Sequence, residues 1–370
     1  MLTNGSQSQR IFGLDVMRAL AIMQVVYSHS LELLGAYWPP DLSISYVDGV
    51  DLFFVLSGFL VGGILLRSLE ENELPWYKAL LNFWQRRWLR TLPNYYLFLF
   101  VNIGLAYAGV SRGVLHTNTW AYFLFLQNFH VQLGLMFWES WSLAVEEWFY
   151  LLFPIAVHGV LRLIKLPIRY AFLLATMVMI ILPTVIRFSY IDGIESLFQQ
   201  DLIIRKLVVN RLDMIGFGVL AAWFHHYYRE AWSKLKWFAF IVGVLGYWLA
   251  TIPWSMTNVG YLSTWYFTFI SIALAMTLPV LSSWYSTAKF TKPVEFLSTI
   301  SYALYLVHLP LRYFFLDAAE GLSKSETVLL YAGFWATSIF AAAAIYRWYE
   351  LPFMRLRGKV TELLVGRSAR

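Results

Sequence analysis

Apolar stretches that are long enough to cross a lipid bilayer recur along the whole chain, and they constrain its fold more than any other feature. A transmembrane helix needs about 20 predominantly apolar residues, since each residue adds about 1.5 Å to its length. Such stretches lie at residues 13–31, 50–66, 93–110, 141–161, 170–187, 208–227, 237–252, 262–281, 298–316 and 327–346. The sequence therefore predicts an all-α, polytopic transmembrane helix bundle of about ten spans.

The composition is that of a protein covered by lipid. Hydrophobic residues make up 59% of the 370 positions and charged residues 14%, whereas a soluble domain has about 25% charged residues. No connection between the stretches is long enough for a soluble domain, so residues 1–370 are predicted to form a single transmembrane domain with no appended soluble domain. The chain contains no cysteine, which excludes disulfides, thiolate metal sites and an acyl-cysteine intermediate. No metal site is expected.

The lysines and arginines predict the topology. With a cytosolic N-terminus and ten spans, 20 of the 28 Lys and Arg residues lie in cytosolic segments and six in outer segments, which is a strong positive-inside bias. The bias vanishes if the ambiguous stretch 119–137, which contains Gln127, Asn128, His130 and Gln132, crosses the membrane. We therefore predict that both termini are cytosolic and that this stretch is re-entrant or interfacial at the outer face. Short basic loops also explain the net charge of +6 without a nucleic-acid partner.

The first stretch holds three ionisable residues. Such groups are energetically costly at membrane depth, and where they occur they usually mark a functional site. Arg18 and His29 are 11 residues apart, about three helical turns, so they share one helix face. Asp15 can pair with Arg18 and is expected in the same substrate site. His29 is predicted to be a general base for a hydroxyl group, with Arg18 holding a donor or a developing oxyanion. The alternative is a snorkelling arginine and an interfacial histidine.

Two motifs follow along the chain. The segment Val50-Asp51-Leu52-Phe53-Phe54-Val55-Leu56-Ser57-Gly58-Phe59-Leu60 places Ser57 in the middle of a span, where a small residue favours substrate contact and helix packing about equally.

The segment RRWLR presents Arg86, Arg87 and Arg90 near Tyr95 beside a span. Guanidinium groups bind phosphates through paired hydrogen bonds, so this cluster is a candidate site for coenzyme A. Its alternatives are a topology signal or a lipid-headgroup contact.

The later spans add further polar residues. Trp141 opens a span that carries the adjacent acids Glu146 and Glu147, one of which is expected to orient His29 or to bind substrate hydroxyls. The alternative for these acids is an interfacial pair anchored by aromatic residues. Arg211, next to an acid at an outer helix end, and His308, at a depth similar to that of His29, are further candidates for substrate binding. Either could instead be a hydrogen-bonded packing residue.

Together these motifs resemble acyltransferase family 3, the membrane O-acetyltransferases of bacterial surface polysaccharides. The resemblance covers nearly the whole chain and rests on Arg18 with His29, VDLFFVLSGFL, RRWLR, WSLAVEEWFYLLFP, RLDMIGFG, ISYALYLVHLP and YELPF. It implies an acyl-CoA donor, with acetyl-CoA the family default, that contacts Arg87 and Arg90, and an essential His29. It also implies a carbohydrate acceptor, an exported polysaccharide or its lipid-linked precursor, and the bacterial inner membrane. Some members carry an additional periplasmic esterase-like domain, which we do not expect in this protein.

Two other functions remain open from the sequence. A glycan transporter or flippase would also have many spans and intramembrane charges, although the chain lacks the repeats and paired broken helices of many transporters. An acyltransferase that acts on a lipid or a small molecule fits the same motifs. Within the acyltransferase hypothesis, direct transfer inside a transmembrane channel is favoured over a relay through an acylated Ser57 or His29.

Overall fold

The computed structural model describes residues 10–37, 48–71, 74–111, 113–252, 256–289 and 291–365. Within these ranges the regular structure is helical and no strand is present. The main helices are α1 Phe12–Ser30, α2 Gly49–Glu71, α3 Trp76–Tyr107, α4 Ser140–Gly159, α5 Ile168–Phe188, α6 Leu212–Tyr227, α7 Lys236–Ala250, α8 Tyr266–Leu281, α9 Thr291–Asp317, α10 Lys324–Ile345 and α11 Leu351–Val365.

The helices α1 to α10 coincide one by one with the ten predicted stretches. By length and composition alone, five helical segments of the described ranges are long and apolar enough to cross a membrane: those built on α2, α4, α5, α9 and α10. The helix α6 and the apolar helices α7 and α8 are shorter than a typical span, with 16, 15 and 16 residues. The helix α3 begins well before the predicted stretch, so the RRWLR motif lies within a helix.

The segments rich in Lys and Arg meet at one end of the bundle, which we call the basic end. There Glu70 accepts a hydrogen bond from His226 (2.6 Å), and Arg169 donates to the hydroxyl of Tyr228 (2.5 Å). Gln85 of α3 donates to Thr361 of α11 at the same end (2.7 Å). The contact between the C-terminal part of α1 and α9 lies at the opposite end, as does that of Asp48 with Arg205. The chain therefore alternates between two ends, as the predicted topology requires.

Glycine allows α2 and α6 to approach each other closely. A Cβ added to Gly58 would lie 2.0 Å from the carbonyl oxygen of Ile215, and one added to Gly218 would lie 2.1 Å from that of Val55. The backbones are therefore in direct contact where the two helices cross, which is how small residues pack membrane helices. Gly58 is a packing residue, and this contact fixes the position of its neighbour Ser57.

The ambiguous stretch begins and ends at the opposite end and contains no long helix. It forms a 3-10 segment, Thr117–Leu124, followed by turns that lead to α4. Side chains of the bundle satisfy its backbone: Tyr95 donates to the carbonyl of Tyr122 (2.7 Å), and Tyr96 to that of Phe123 (2.9 Å). Irregular backbone is tolerated at membrane depth only when protein groups pair with it in this way.

Candidate functional site

A cavity lies between α1, α2, α3, α4 and α9 and encloses about 830 Å³ of empty space, including its mouth. Its polar lining is formed by Arg18, Ser57, Arg87, Arg90, Thr91, Ser142, Glu146, Tyr150, Ser301, Tyr302 and Tyr305. Five residues that the sequence singled out, Arg18, Ser57, Arg87, Arg90 and Glu146, therefore line one space.

Three arginines give the cavity its positive charge. Arg87 and Arg90 form no ion pair with any residue that the structure describes, and Arg87 lies over the ring of Tyr150 at 5.8 Å. Arg18 donates to the hydroxyl of Ser298 (3.2 Å) and lies 3.7 Å from a carboxylate oxygen of Asp15. Unpaired guanidinium groups on a cavity wall are suited to bind an anion such as a phosphate.

Asp15 lies behind this wall and supports it. Its side chain is buried, accepts a hydrogen bond from Ser298 (2.6 Å) and pairs with Arg10. Asp15 therefore holds Ser298 and Arg18 in place and does not itself line the cavity.

The two adjacent acids have different surroundings. Glu146 lines the cavity on the side of Arg87 and Arg90. Glu147 is buried and accepts a hydrogen bond from Thr91 of α3 (2.6 Å). Neither acid is a partner of His29 in the structure, so the geometry gives no support to the hypothesis that one of them orients the histidine.

Ser57 is held by a tyrosine that the sequence analysis did not single out. Its hydroxyl is 2.5 Å from that of Tyr150, which follows Glu146 by one helical turn. Spacing of i and i+4 on α4 could have identified this residue, because such residues share a helix face. The same three-to-four-residue spacing occurs on α9, at Ser298, Tyr302, Tyr305 and His308. Of these four residues, the sequence pattern identified only His308 as a site candidate.

His29 and His308 form a pair beyond the cavity, toward the opposite end. Nδ1 of His29 is 2.8 Å from Nε2 of His308, and the two rings are nearly parallel. His308 is fully buried, whereas His29 is half-buried. Nδ1 of His308 lies 3.1 Å from the carbonyl oxygen of Leu304. A carbonyl can only accept, so this nitrogen of His308 carries the hydrogen.

It follows that Nδ1 of His29 is a donor. In neutral His308 the other nitrogen, Nε2, has no hydrogen and must accept from His29. A neutral His29 with its hydrogen on Nδ1 has a free electron pair on Nε2. The pair therefore presents one unprotonated nitrogen on its half-buried member, which is what a general base requires.

A layer of aromatic and hydroxyl groups separates the cavity from the histidine pair. Tyr305 lines the cavity, and its ring lies 6.0 Å from that of His308 and 6.4 Å from that of Phe53. Its hydroxyl lies 2.6 Å from that of Ser142 and donates to the carbonyl of Glu139 (3.0 Å). Because His29 itself does not line the cavity, a ligand must pass this layer to reach it.

Charged residues surround the histidine pair at the opposite end. Arg205 pairs with Asp48 and Asp201, and Lys206 lies 3.9 Å from the centre of the Trp138 ring. Although burial opposes it, Arg205 and the amide of Val50 lower the pKa of the Asp48 carboxyl. Burial, together with Arg205, lowers the pKa of the Lys206 ammonium to about 8. This network joins α2 to the segment before α6.

Besides Asp15, Glu147, His29 and His308, four sequence-predicted site residues do not line the cavity. Tyr95 is fully buried and donates to the backbone of the stretch 119–137, so it is not positioned to bind a cofactor. Arg211 is fully buried and donates to Asp51 (2.7 Å), so its charge is already paired inside the bundle. Trp141 is buried against Phe54. Arg86 points away from its neighbour Arg87 and lines a second cavity at the basic end.

The family-model comparison decides the class of this protein. Residues 11–347 match the model of an acyltransferase domain, that of acyltransferase family 3. The chain belongs to this family. Together with the long apolar helices, this makes it a membrane protein of an acyltransferase family.

Curated relatives of this family 3 protein are found in Staphylococcus aureus. The protein named "Putative O-acetyltransferase SACOL0978" (strain COL) is 26% identical over 95% of this chain and 59% of its own length. O-acetyltransferase OatA (strain NCTC 8325 / PS 47) is 27% identical over 81% of this chain and 50% of its own length. The chain thus spans about half to three fifths of these relatives. No solved structure matches the chain.

Proposed function

We propose that this protein transfers an acetyl group from acetyl-CoA to a hydroxyl group of a carbohydrate. One observation carries the proposal: unpaired arginines line a cavity toward the basic end, and a histidine pair lies further along the same helices. Such an arrangement can bind a phosphate-bearing donor at one end and activate a hydroxyl group toward the other. The O-acetyltransferase names of the relatives support the reaction class.

In this proposal the donor enters from the basic end, which faces the cytosol by the positive-inside rule. Arg87 and Arg90 bind its phosphates, and the acyl arm extends past Tyr305 and Phe53 toward His29. Arg18 and His29 are about 16 Å apart along α1, so they cannot both contact the same reacting carbonyl. Arg18 therefore holds the donor, and it is not the group that stabilises the oxyanion beside His29.

At His29 the reaction is a direct acyl transfer. Nε2 of His29 takes the proton of the acceptor hydroxyl as its oxygen bonds to the thioester carbonyl carbon. The carbon–sulfur bond then breaks, and the thiolate of coenzyme A receives a proton from the imidazolium. His308 accepts a hydrogen bond from the imidazolium throughout, which stabilises its charge.

The acceptor is proposed to approach from the opposite end, where His29 is half-buried. Trp138 and the charged groups around Arg205 and Lys206 line this side and are suited to bind sugar rings and their hydroxyl groups. The proposed acceptor is an exported polysaccharide or its lipid-linked precursor, as the family resemblance implies. The proposed location of the protein is the bacterial cytoplasmic membrane.

The test is release of coenzyme A from acetyl-CoA by the purified full chain in nanodiscs. We expect His29→Ala to lower the rate by about 10²- to 10⁴-fold, the range for loss of a general base. The double variant Arg87→Ala/Arg90→Ala should chiefly raise the KM for acetyl-CoA. Matched controls are His130→Ala and Arg229→Ala, because both residues are exposed and lie at the opposite and basic ends, respectively.

The possible outcomes separate the candidate functions. Absence of both release and acetyl-CoA binding would favour a transporter. Release that His29→Ala leaves unchanged would move the catalytic role to another residue, with Ser57 the first to test. A trapped acyl-enzyme would replace direct transfer with a relay. Transfer to lipid and not to added glycan would assign a lipid acceptor.

A further inference from the structure

A second cavity lies at the basic end and is lined by both polar and apolar side chains. It is bounded by α2, α3 and α11 and encloses about 1020 Å³ of empty space, including its mouth. Its polar lining consists of Arg67, Ser68, Glu71, Asn82, Arg86 and Thr361.

The two cavities are arranged in series along the same pair of helices. On α2, Ser57 lines the first cavity and Arg67 the second; on α3, Arg90 lines the first and Arg86 the second. The two helices are antiparallel, so both pass from the basic end into the bundle. The rise from Arg86 to Arg90 is only about 6 Å, a distance that one extended molecule can span.

The charges of the second cavity favour an anion. Arg67 and Arg86 are exposed at its wall, and neither forms an ion pair with any residue in the described ranges. Glu71 is the one acidic residue of the lining. Arg357 of α11 is within electrostatic range of both Arg86 and Arg90, so positive charge continues from one cavity to the other.

Hydrogen bonds fix the floor of this cavity. Gln85 donates to both Asn82 (3.2 Å) and Thr361 (2.7 Å), and Thr361 also donates to Asn82 (3.1 Å). These bonds tie α3 to α11 next to Arg86. The cavity thus combines two free guanidinium groups with hydroxyl and amide groups that are held in place.

We propose that the second cavity binds the 3′-phosphorylated adenosine end of acyl-CoA, with Arg67 and Arg86 on the 3′-phosphate. This proposal rests on the proposed function and extends it. It assigns recognition of the nucleotide to Arg67 and Arg86, which are distinct from Arg87 and Arg90 deeper in the bundle. Ser68, Asn82 and Thr361 supply the hydroxyl and amide groups that a ribose and an adenine require. A lipid phosphate has the same charge, so the test must separate the two sources.

The experiment compares binding of coenzyme A and of dephospho-coenzyme A, which lacks the 3′-phosphate, to the full chain in zwitterionic nanodiscs. The wild type is expected to bind coenzyme A about tenfold more tightly or better, as hydrogen bonds to charged groups would give. Arg67→Gln and Arg86→Gln should each remove most of this preference and leave the affinity for dephospho-coenzyme A unchanged. Arg229→Gln, an exposed arginine at the same end, should alter neither affinity.

Unchanged dephospho-coenzyme A binding also demonstrates that the variants are folded. A preference that survives in both variants, or an equal loss for both ligands, would overturn the assignment while the acyltransferase proposal stood. Binding of neither ligand by the wild type would instead contradict the proposed function itself. Anionic lipid that abolishes the preference of the wild type would assign the cavity to a lipid headgroup, whereas a preference that persists in anionic nanodiscs supports the nucleotide.

Discussion

A neutral histidine has one ring nitrogen that donates and one that accepts, and the contacts of His308 decide which nitrogen is free on His29. Because Nδ1 of His308 is committed to the carbonyl of Leu304, its Nε2 accepts from His29. His308 is therefore a positioning residue: it acts through His29, and its buried side chain has no other route to a substrate. The separation of 279 positions between the two histidines explains why the sequence suggested a shared polar region but not this contact.

We expect His308→Leu to lower kcat by about 10²-fold with little change in the KM for acetyl-CoA, because His29 loses the partner that fixes its tautomer and supports its charge. His308→Gln should retain more activity, since its amide oxygen can accept from His29. Steady-state kinetics of coenzyme A release would measure both. Equal losses in the two variants, or a loss confined to KM, would contradict a positioning role.

Glu139, immediately before α4, is a buried acid that no sequence motif indicated. Its carboxylate has one oxygen, Oε1, without a hydrogen-bond partner, and burial raises the pKa of this carboxyl to about 8. The folded state therefore holds the proton more tightly than the unfolded chain, whose pKa is about 4.3. The resulting stability is fully present below about pH 4.3 and is lost as the pH rises through about 8.

Glu139→Gln should remove this dependence, because glutamine resembles the neutral acid at every pH. We expect the variant and the wild type to have similar melting temperatures at pH 4, and the variant to melt about 5 °C higher at pH 9. Tryptophan fluorescence during heating in detergent would measure this. The exposed Glu195→Gln is the control, and a wild-type curve parallel to that of Glu139→Gln would refute the argument.

At the scale of elements, the crossing of α2 and α6 depends on glycine at particular positions. A Cβ on Gly58 would overlap the backbone of α6, whereas one on Gly63 of the same helix would meet nothing within 4 Å. We expect Gly58→Ala to destabilise the protein by about 1–3 kcal/mol and to shift Ser57, as overpacking does. Gly63→Ala, the matched control, should be neutral or stabilising by up to about 1 kcal/mol. Thermal unfolding of the two variants would test this, and equal effects would contradict the packing argument.

The elements themselves were predictable because the length of an apolar run and the charges beside it are local properties. Each of α1 to α10 falls on a predicted stretch, and the stretch at 119–137, with its amide and histidine side chains, is not a long helix. The partners of polar residues were less predictable. Tyr95 and Arg211 looked like site residues, but their partners, the carbonyl of Tyr122 and the carboxylate of Asp51, lie on distant segments. Sequence spacing identifies which residues share a face and not which helix lies opposite.

At the scale of the whole molecule, the proposed function requires the two ends of the bundle to face different compartments. Donor binding near Arg87 and Arg90 needs cytosolic access, and an exported acceptor must reach His29 from the other side. The contacts of the described residues bring the basic loops to one end, which agrees with an orientation set by charge. The stretch at residues 119–137 keeps this alternation intact, because it begins and ends at the opposite end.

The chain has no cysteine, so each single introduced cysteine would be the one thiol available to a label. Asn118, just before the stretch 119–137, and Gln132, within it, are exposed, as are Arg229 and Lys359 at the basic end. We expect an impermeant maleimide to label Asn118→Cys and Gln132→Cys on intact spheroplasts, and Arg229→Cys and Lys359→Cys only after permeabilisation. Labelling of Asn118→Cys and Gln132→Cys from different sides would mean that residues 119–137 cross the membrane. Every later loop would then change sides, and the arginines proposed to bind acyl-CoA would no longer share a compartment with most of the basic loops.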